Sequence, residues 1–247
     1  MTDKTPGFSI IIPAWNESTL IADTVKAAIS SIEQQHHSGQ VIVVDNNSTD
    51  ETAAIARQAG AAVVHEPINQ IARARNAGAS ASNSQWLVFI DADTIISPEL
   101  LALALNALSS GTVIGGGSTV AADRPVSQFG RRVLAFWNWV SVKSRTAAGC
   151  FIYCRHDAFV EIGGFDNKVY AGEELHLSRH LRRLAKERQM QFVIHTEAPI
   201  TTSARKLDWY SPTQMIGQFL LLLLPFATHS RRFCGVWYKR KASHTKN

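Results

Sequence analysis

The chain alternates short, nearly unbroken apolar runs with longer stretches whose apolar residues recur every three or four positions. Runs of the first kind are Phe8-Ser9-Ile10-Ile11-Ile12, Gln40–Val44, Ala61-Ala62-Val63-Val64-His65 and Trp86-Leu87-Val88-Phe89-Ile90. Their β-branched and aromatic residues predict strands, and the lack of polar alternation predicts strands covered on both faces. Pro13 stops the first strand and Pro67 closes the third. Ile21, Val25, Ala28, Ile29 and Ile32 fall at i, i+4, i+7, i+8 and i+11, one face of a helix, with Ser18 as its N-cap. Ser48-Thr49-Asp50-Glu51 has capping-box spacing and opens a second helix that ends at Gly60. A third helix runs from Ile71 to Ser82. Strand and helix repeated, with a fourth strand closing the series, predict an α/β fold: a mostly parallel sheet with helices on both faces.

The alternation stops after a helix at Pro98–Leu108 and a strand at Thr112–Gly116. Pro125–Arg145 carries Phe129, Phe136, Trp137 and Trp139 among Arg131, Arg132, Lys143 and Arg145, and reads as an insertion over one face of the sheet. Gly149–Arg155 returns as a strand, His156–Ile162 as a short helix closed by Gly163-Gly164, and Glu173–Arg188 as a charged helix. Phe192–His195 is a last short strand, followed from Ser211 to Tyr238 by an apolar, helical tail interrupted at Pro225.

Composition narrows the class. At 247 residues, 45% hydrophobic and 18% charged, the chain has the make-up of a folded α/β domain with a sizeable core. The net charge of +5 is modest and gathers in the last third. It suits an anionic ligand or membrane surface and is too sparse for a dedicated nucleic-acid binder. Cys150, Cys154 and Cys234 give neither a disulfide framework nor a paired zinc motif, so the expected compartment is the reducing cytoplasm. The start of the chain runs from Met1 almost directly into a strand, which predicts no signal peptide, and Phe219–Phe226 is too short to span a bilayer.

The chemistry gathers at strand ends. Asn16 and Glu17, then Asp45 and Asn46, then Asp91 and Asp93 follow three of the four strands, at the sheet edge where open α/β folds bind ligands. Two carboxylates after a fully apolar strand call for a cation, and a hard divalent ion suits oxygen ligands. The plainer alternative is a solvated turn that caps the helix at Pro98. No G-x-G-x-x-G follows the first strand, no G-x-x-x-x-G-K-[ST] occurs, and the aspartates lack the rest of an EF-hand loop.

Pro13-Ala14-Trp15-Asn16-Glu17, Val44-Asp45-Asn46-Asn47-Ser48-Thr49-Asp50, Ala74-Arg75-Asn76-Ala77-Gly78 and Asp91-Ala92-Asp93 resemble, in this order, the motifs of family 2 glycosyltransferases. Gly149 through Gly163-Gly164-Phe165-Asp166 resembles the acceptor-side segment, and Gly172-Glu173-Glu174-Leu175 stands where the family carries a Glu-Asp pair. The resemblance covers roughly residues 8 to 205. It implies a GT-A, Rossmann-like domain over 1–208, leaving 209–247 as an apolar and basic helical tail. It also implies sugar transfer from a nucleotide-diphosphate sugar with inversion at the anomeric carbon. A tail of this kind, all-round apolar at 219–224 and then basic at Arg231 and Arg232, would suit peripheral contact at the cytoplasmic face of a membrane and a lipid-linked acceptor. Packing on the domain or against a second subunit is the competing reading.

By this resemblance, Pro13, Ala14, Trp15, Asn16 and Glu17 line the nucleotide pocket with Asn46, Ser48 and Ala92. Asp45 accepts from the base, and Asp91 lies nearer the ribose. Arg75, with Arg73 second, pairs with the pyrophosphate through a guanidinium fork. Asp93 holds a divalent cation (Mn²⁺ or Mg²⁺) that neutralises charge on the leaving diphosphate. His195 is a further candidate ligand, against its reading as a packed strand-end histidine. Glu174, or its neighbour Glu173, takes the proton of the attacking hydroxyl, against the reading that both only favour a helix N-terminus. The Glu-Asp pair is Glu-Glu here, Asn46 replaces the usual second acid, and no Gln-x-x-Arg-Trp follows, which argues against a processive synthase. Two other functions compete. A sugar nucleotidyltransferase would need a Gly-rich basic loop where Pro13–Glu17 stands, and a non-catalytic nucleotide-sugar binder would need a lost base or metal ligand.

Overall fold

The computed structural model describes residues 7–205, 228–230 and 234; the apolar tail predicted from Ser211 to Tyr238, and with it the boundary at 208, lies almost entirely outside them. In chain order the elements are β1 (Phe8–Ala14), α1 (Ile21–Glu33), β2 (Gly39–Asp45), α2 (Thr52–Gln58), β3 (Ala62–His65), α3 (Ile71–Ser80), β4 (Trp86–Ile90) and β5 (Thr94–Ile95). They continue with α4 (Pro98–Ser109), β6 (Val113–Ala122), α5 (Gln128–Ser144), β7 (Phe151–Arg155), α6 (His156–Glu161), α7 (Glu173–Glu187) and β8 (Gln191–Thr202).

One sheet of eight strands runs β3-β2-β1-β4-β7-β6-β8-β5. The first four sequence strands pair in parallel, as the strand–helix repeat predicts, and β6 and β8 are also parallel. β7 is antiparallel to both its neighbours and β5 antiparallel to β8. Because β1 and β4 are apolar at odd and even positions, each contributes to two cores. Ile10, Ile12, Val88 and Ile90 pack with α1 and α4 on one face, while Ile11, Leu87 and Phe89 pack with α3 and α7 on the other. Gly78 lets α3 lie directly on β1, since a Cβ there would sit 2.4 Å from Ile11 Cγ2.

Several expected boundaries move. β1 continues through Pro13, whose missing N–H costs nothing where β1 has outrun its pairing with β4 and follows β2 alone. Ser18 is not the N-cap of α1, which starts at Ile21 after Leu20 with no side-chain cap. The predicted capping box is also not formed: Ser48 Oγ accepts from Asn16 N at 3.0 Å, and Asp50 accepts from Thr52 N at the start of α2. Ser48 Oγ is taken by a tertiary partner, and the Ser18 backbone N–H is tied to Asp50 in the β2 loop. β6 and β8 are longer than their apolar centres, and β5 was not predicted. Pairing with a neighbour carries Thr196–Thr202 as strand although its polar residues break the apolar run.

Candidate active site

β4 ends at Ile90 with every residue buried, and the chain turns through Asp91-Ala92-Asp93 at the sheet's carboxyl edge. The turn is fixed from α1, where Thr24 Oγ1 donates to Ala92 O at 2.9 Å and Ser31 Oγ donates to Ile96 O at 2.9 Å. Each aspartate then meets an arginine, Asp91 one from the preceding helix α3 and Asp93 one from beyond β8. Ala92 itself is buried.

Arg75, on α3, is 1% exposed. Its Nη1 donates to Glu173 Oε1 at 2.7 Å, and its Nη2 donates to Asp91 Oδ1 at 2.9 Å and to Gly149 O at 2.7 Å. The guanidinium lies over the Phe165 ring, 5.2 Å from its centroid. Burial alone would lower its pKa, but Asp91, Glu173 and Glu174 together outweigh burial and hold it above the usual arginine range. Arg75 was expected at a pyrophosphate through its fork; that fork faces the protein's own carboxylates and a carbonyl. Arg73, expected second, is half-buried, and its Nε donates to Gln70 Oε1 at 3.1 Å.

Arg205, just past β8, makes the second bridge. It meets Glu17 in fork-to-fork geometry at 2.8 and 2.5 Å, and its Nη2 lies 3.0 Å from Asp93 Oδ2. A backbone bond from Ser203 N to Asp93 O at 3.0 Å fixes the same junction. Nothing local to Arg205 in the sequence points to Glu17, 188 positions earlier. The edge therefore carries a chain of charge in two ion-paired halves, Glu17–Arg205–Asp93 and Asp91–Arg75–Glu173, joined through the backbone of the Asp91-Ala92-Asp93 turn.

Glu174 stands at the end of that chain, in the first turn of α7. Gly172, at φ 77°, turns the backbone into the helix through a conformation that glycine adopts freely. The carboxyl of Glu174 is pushed up to about 8, first by burial and then by the charge of Glu173, with Arg75 offsetting part of the rise. Glu174 is on the wall of a cavity of about 320 Å³ between α5 and the sheet, which Gly149, Cys150 and Ser203 also line. A Cβ added at Gly149 would contact both Arg75 Nη2 and Glu174 Cδ, so the glycine sits between the bridge and the cavity.

The residues expected to line a nucleotide pocket divide by burial. Pro13 and Ala14 are buried inside β1, and Trp15 and Asn16 are the first half-exposed residues after it. Asn16 has φ 52° and accepts from Thr49 N at 2.8 Å, tying the β1 and β2 loops together with Ser48. Asp45 accepts from Ser48 N at 3.2 Å and lies 3.3 Å from His65 Nδ1. Asn46 is buried, and its amide donates to Glu66 O and Ile68 O at 3.2 and 2.6 Å. A carboxylate could not donate to those carbonyls, which gives a physical reason for asparagine at this position.

Two groups of expected site residues fall elsewhere. His195 does not join Asp93. It pairs with Ser118 on β6, seven residues along β8 from Thr202 and so about 20 Å away. Its Nε2 lies 2.9 Å from the Tyr153 hydroxyl, and burial lowers its pKa. Among the described residues, no group of three or more His, Cys, Asp or Glu side chains is arranged to hold a metal ion. Gly163 and Gly164, with φ near the left-handed region, reverse the chain after α6 and line a different cavity with Asn76 and Phe159. Asn76 clamps Phe165 by accepting from its N and donating to its O, both at 2.9 Å, which holds the Phe165 ring under Arg75; Asp166 accepts from Lys168 N within its own turn. Of the expected acceptor-side residues, Gly149 is the one that reaches the Glu174 cavity.

Residues 9–196 match the sequence model of Glycosyl transferase family 2. Among curated proteins none matches the chain. Among solved structures, it is similar to the mannosyltransferase PcManGT of Pyrobaculum calidifontis, in complex with GDP-Man and Mn²⁺ (19% identity, TM-score 0.63, 97% of this chain and 66% of that one). It is also similar to glucosyl-3-phosphoglycerate synthase of Mycobacterium tuberculosis with Mn²⁺, UDP-Glc and glycerol 3-phosphate (21% identity, TM-score 0.61, 89% of this chain and 79% of that one). S. aureus TarS 1-349 shares the architecture at 16% identity and TM-score 0.59, over 95% of this chain and 75% of that one. These likenesses establish the GT-A fold. The chain spans just under two thirds of the mannosyltransferase.

Proposed function

The chain belongs to glycosyl transferase family 2, and we propose that it transfers a sugar, with inversion, from a nucleotide-diphosphate sugar to an acceptor hydroxyl. The observation that carries the reading is the line of charge from Glu17 to Glu173, ending beside the raised carboxyl of Glu174 at an open cavity. A carboxyl at about 8 is matched to proton abstraction near neutral pH. Solved relatives of this fold hold GDP-Man or UDP-Glc with Mn²⁺, which supports a sugar-nucleotide donor and a divalent cation here.

In this reading Asp45, Trp15, Asn16 and Glu17 face the nucleotide, and Arg73, on the more open side of α3, meets the diphosphate. The acceptor hydroxyl attacks the anomeric carbon while Glu174 takes its proton, and the diphosphate leaves from the opposite face. Arg75 touches neither reactant; it fixes Glu173 and Asp91 and limits how far the pKa of Glu174 rises. Asp93 would hold the cation, whose chemistry when bound is to neutralise charge developing on the leaving diphosphate. The donor set fits. Asp93 already accepts a cation, the Arg205 guanidinium, 3.0 Å away, and a site with one or two carboxylates and no protein cage suits an ion completed by substrate phosphates.

The test is a thermal-shift and turnover screen of UDP-, GDP-, CDP- and dTDP-sugars with Mn²⁺ or Mg²⁺, using the wild type and Asp93→Asn. One donor is expected to stabilise the wild type only when the cation is present, and Asp93→Asn is expected to lose that shift and its turnover while remaining folded. Full activity of the variant, or of the wild type in EDTA, contradicts the assignment of Asp93. Donor binding with no transfer or hydrolysis would make the protein a non-catalytic binder.

A further inference from the structure

α5 is packed unlike the core helices. α4 buries Leu100, Leu101, Ala104, Leu105 and Leu108 along one stripe, whereas α5 buries only Gly130 and Ser141 in seventeen residues. It is pinned to β6 at one point, where Asn138 accepts from Val120 N and donates to Val120 O at 2.9 and 3.0 Å, while Ser141 Oγ donates to Thr146 O, just past the helix, at 2.7 Å. N-terminal to Asn138 the inner side of α5 stands off the sheet. Val133, Leu134 and Trp137 face Val120, Ala148 and Glu174 across the cavity of about 320 Å³. An acceptor with polar groups all round would leave hydroxyls unpaired against those side chains, whereas a hydrocarbon chain would leave none.

The outer side of the same helix is apolar at its centre and cationic at its ends. Arg132, Phe136, Trp139 and Lys143 fall at i, i+4, i+7 and i+11, and all four are exposed. Phe136 and Trp139 are 65% and 60% exposed, with rings stacked at 6.1 Å. Arg131 and Arg145 add to the charge, and α5 contains no acidic residue. Two such faces would repel each other as a dimer. Exposed aromatics flanked by arginine and lysine match the headgroup boundary of an anionic bilayer instead.

We propose that α5 seats this protein on an anionic membrane surface and that the cavity behind it receives the hydrocarbon of a lipid alcohol, bringing its hydroxyl to Glu174. This rests on the glycosyltransferase reading for the reaction but not for the surface.

The test is flotation of the full chain with vesicles of phosphatidylcholine alone and of equimolar phosphatidylcholine and phosphatidylglycerol. The wild type is expected to float with the anionic vesicles at low salt, to be released by high salt, and to stay down with the neutral ones. Phe136→Ser/Trp139→Ser is expected to stay down with both while keeping the donor-induced thermal shift, and each of Arg131→Gln and Arg132→Gln to weaken vesicle affinity about fivefold. Dioctanoylglycerol, a lipid alcohol presented without a bilayer, is expected to raise the melting temperature of the wild type and not that of Val133→Trp, which fills the cavity. A wild type that never floats, a double serine variant that floats like the wild type, or a double variant that loses self-association instead would each overturn the surface. No protection by dioctanoylglycerol would overturn the lipid acceptor. Flotation without donor binding would leave the surface standing and remove the glycosyltransferase reading.

Discussion

Two arginines, each held between two carboxylates, flank the Asp91-Ala92-Asp93 turn, and their surroundings differ. Arg75 comes from the middle of α3, is 1% exposed, and reaches Asp91, Glu173 and Gly149 across packed elements. Arg205 lies just beyond the last strand, is 17% exposed, and reaches Glu17 and Asp93. The same ion-pair chemistry thus serves two purposes. The inner bridge is part of the core and sets the charge around Glu174. The outer bridge lies on the carboxylate assigned to a cation, where a guanidinium and a divalent ion would compete for one partner.

The contrast is broken or sharpened by substitution. On the inner side the largest effect is expected at Glu174: Glu174→Gln lowers kcat by about 10²–10⁴-fold with donor affinity unchanged, read by steady-state kinetics and calorimetry. Glu173→Gln is expected to be milder on rate, and the reverse order would move the base to Glu173. Next, Arg75→Met takes the buried Glu173 carboxylate away from its guanidinium partner, and is expected to cost about 3–5 kcal/mol in urea unfolding, with no recovery on adding Mn²⁺. Arg205→Met is expected to cost less, because its partners border the site opening. Mn²⁺ is expected to return stability, about 2.7 kcal/mol with the ion at about 100 times its Kd. If Mn²⁺ rescues both variants equally, or neither, the two bridges do not differ in the way described.

What the sequence shows of this arrangement is what is local. The strand cores, the Asp91 and Asp93 pair at the end of β4, and Glu173-Glu174 after Gly172 are each carried by neighbouring residues, and the structure gathers them at one edge. The arginine roles are not local. Arg75 is 98 residues from Glu173 and Arg205 is 188 from Glu17, so no spacing rule connects them. By motif alone Arg75 reads as a phosphate ligand, because burial, which decides whether a guanidinium faces protein or substrate, is a tertiary property. Ser18 and Ser48 fail as caps for the same reason, since their segments are tied to another loop. Asn46 departs from the family pattern because it donates to two carbonyls in the loop just after β3, which no single strand shows.

The most direct test of Glu174 as a base on a carboxyl raised by burial is the pH dependence of kcat/KM for the acceptor. A base must be ionised to act, so a raised pKa moves the loss of activity toward neutral pH. The rate is expected to climb about tenfold per pH unit and level off above about 8, where Glu174 ionises, with Glu174→Gln losing that limb. A wild-type profile that is flat from pH 6 to 9, with its inflection in the ordinary carboxylate range of about 4, would contradict the account.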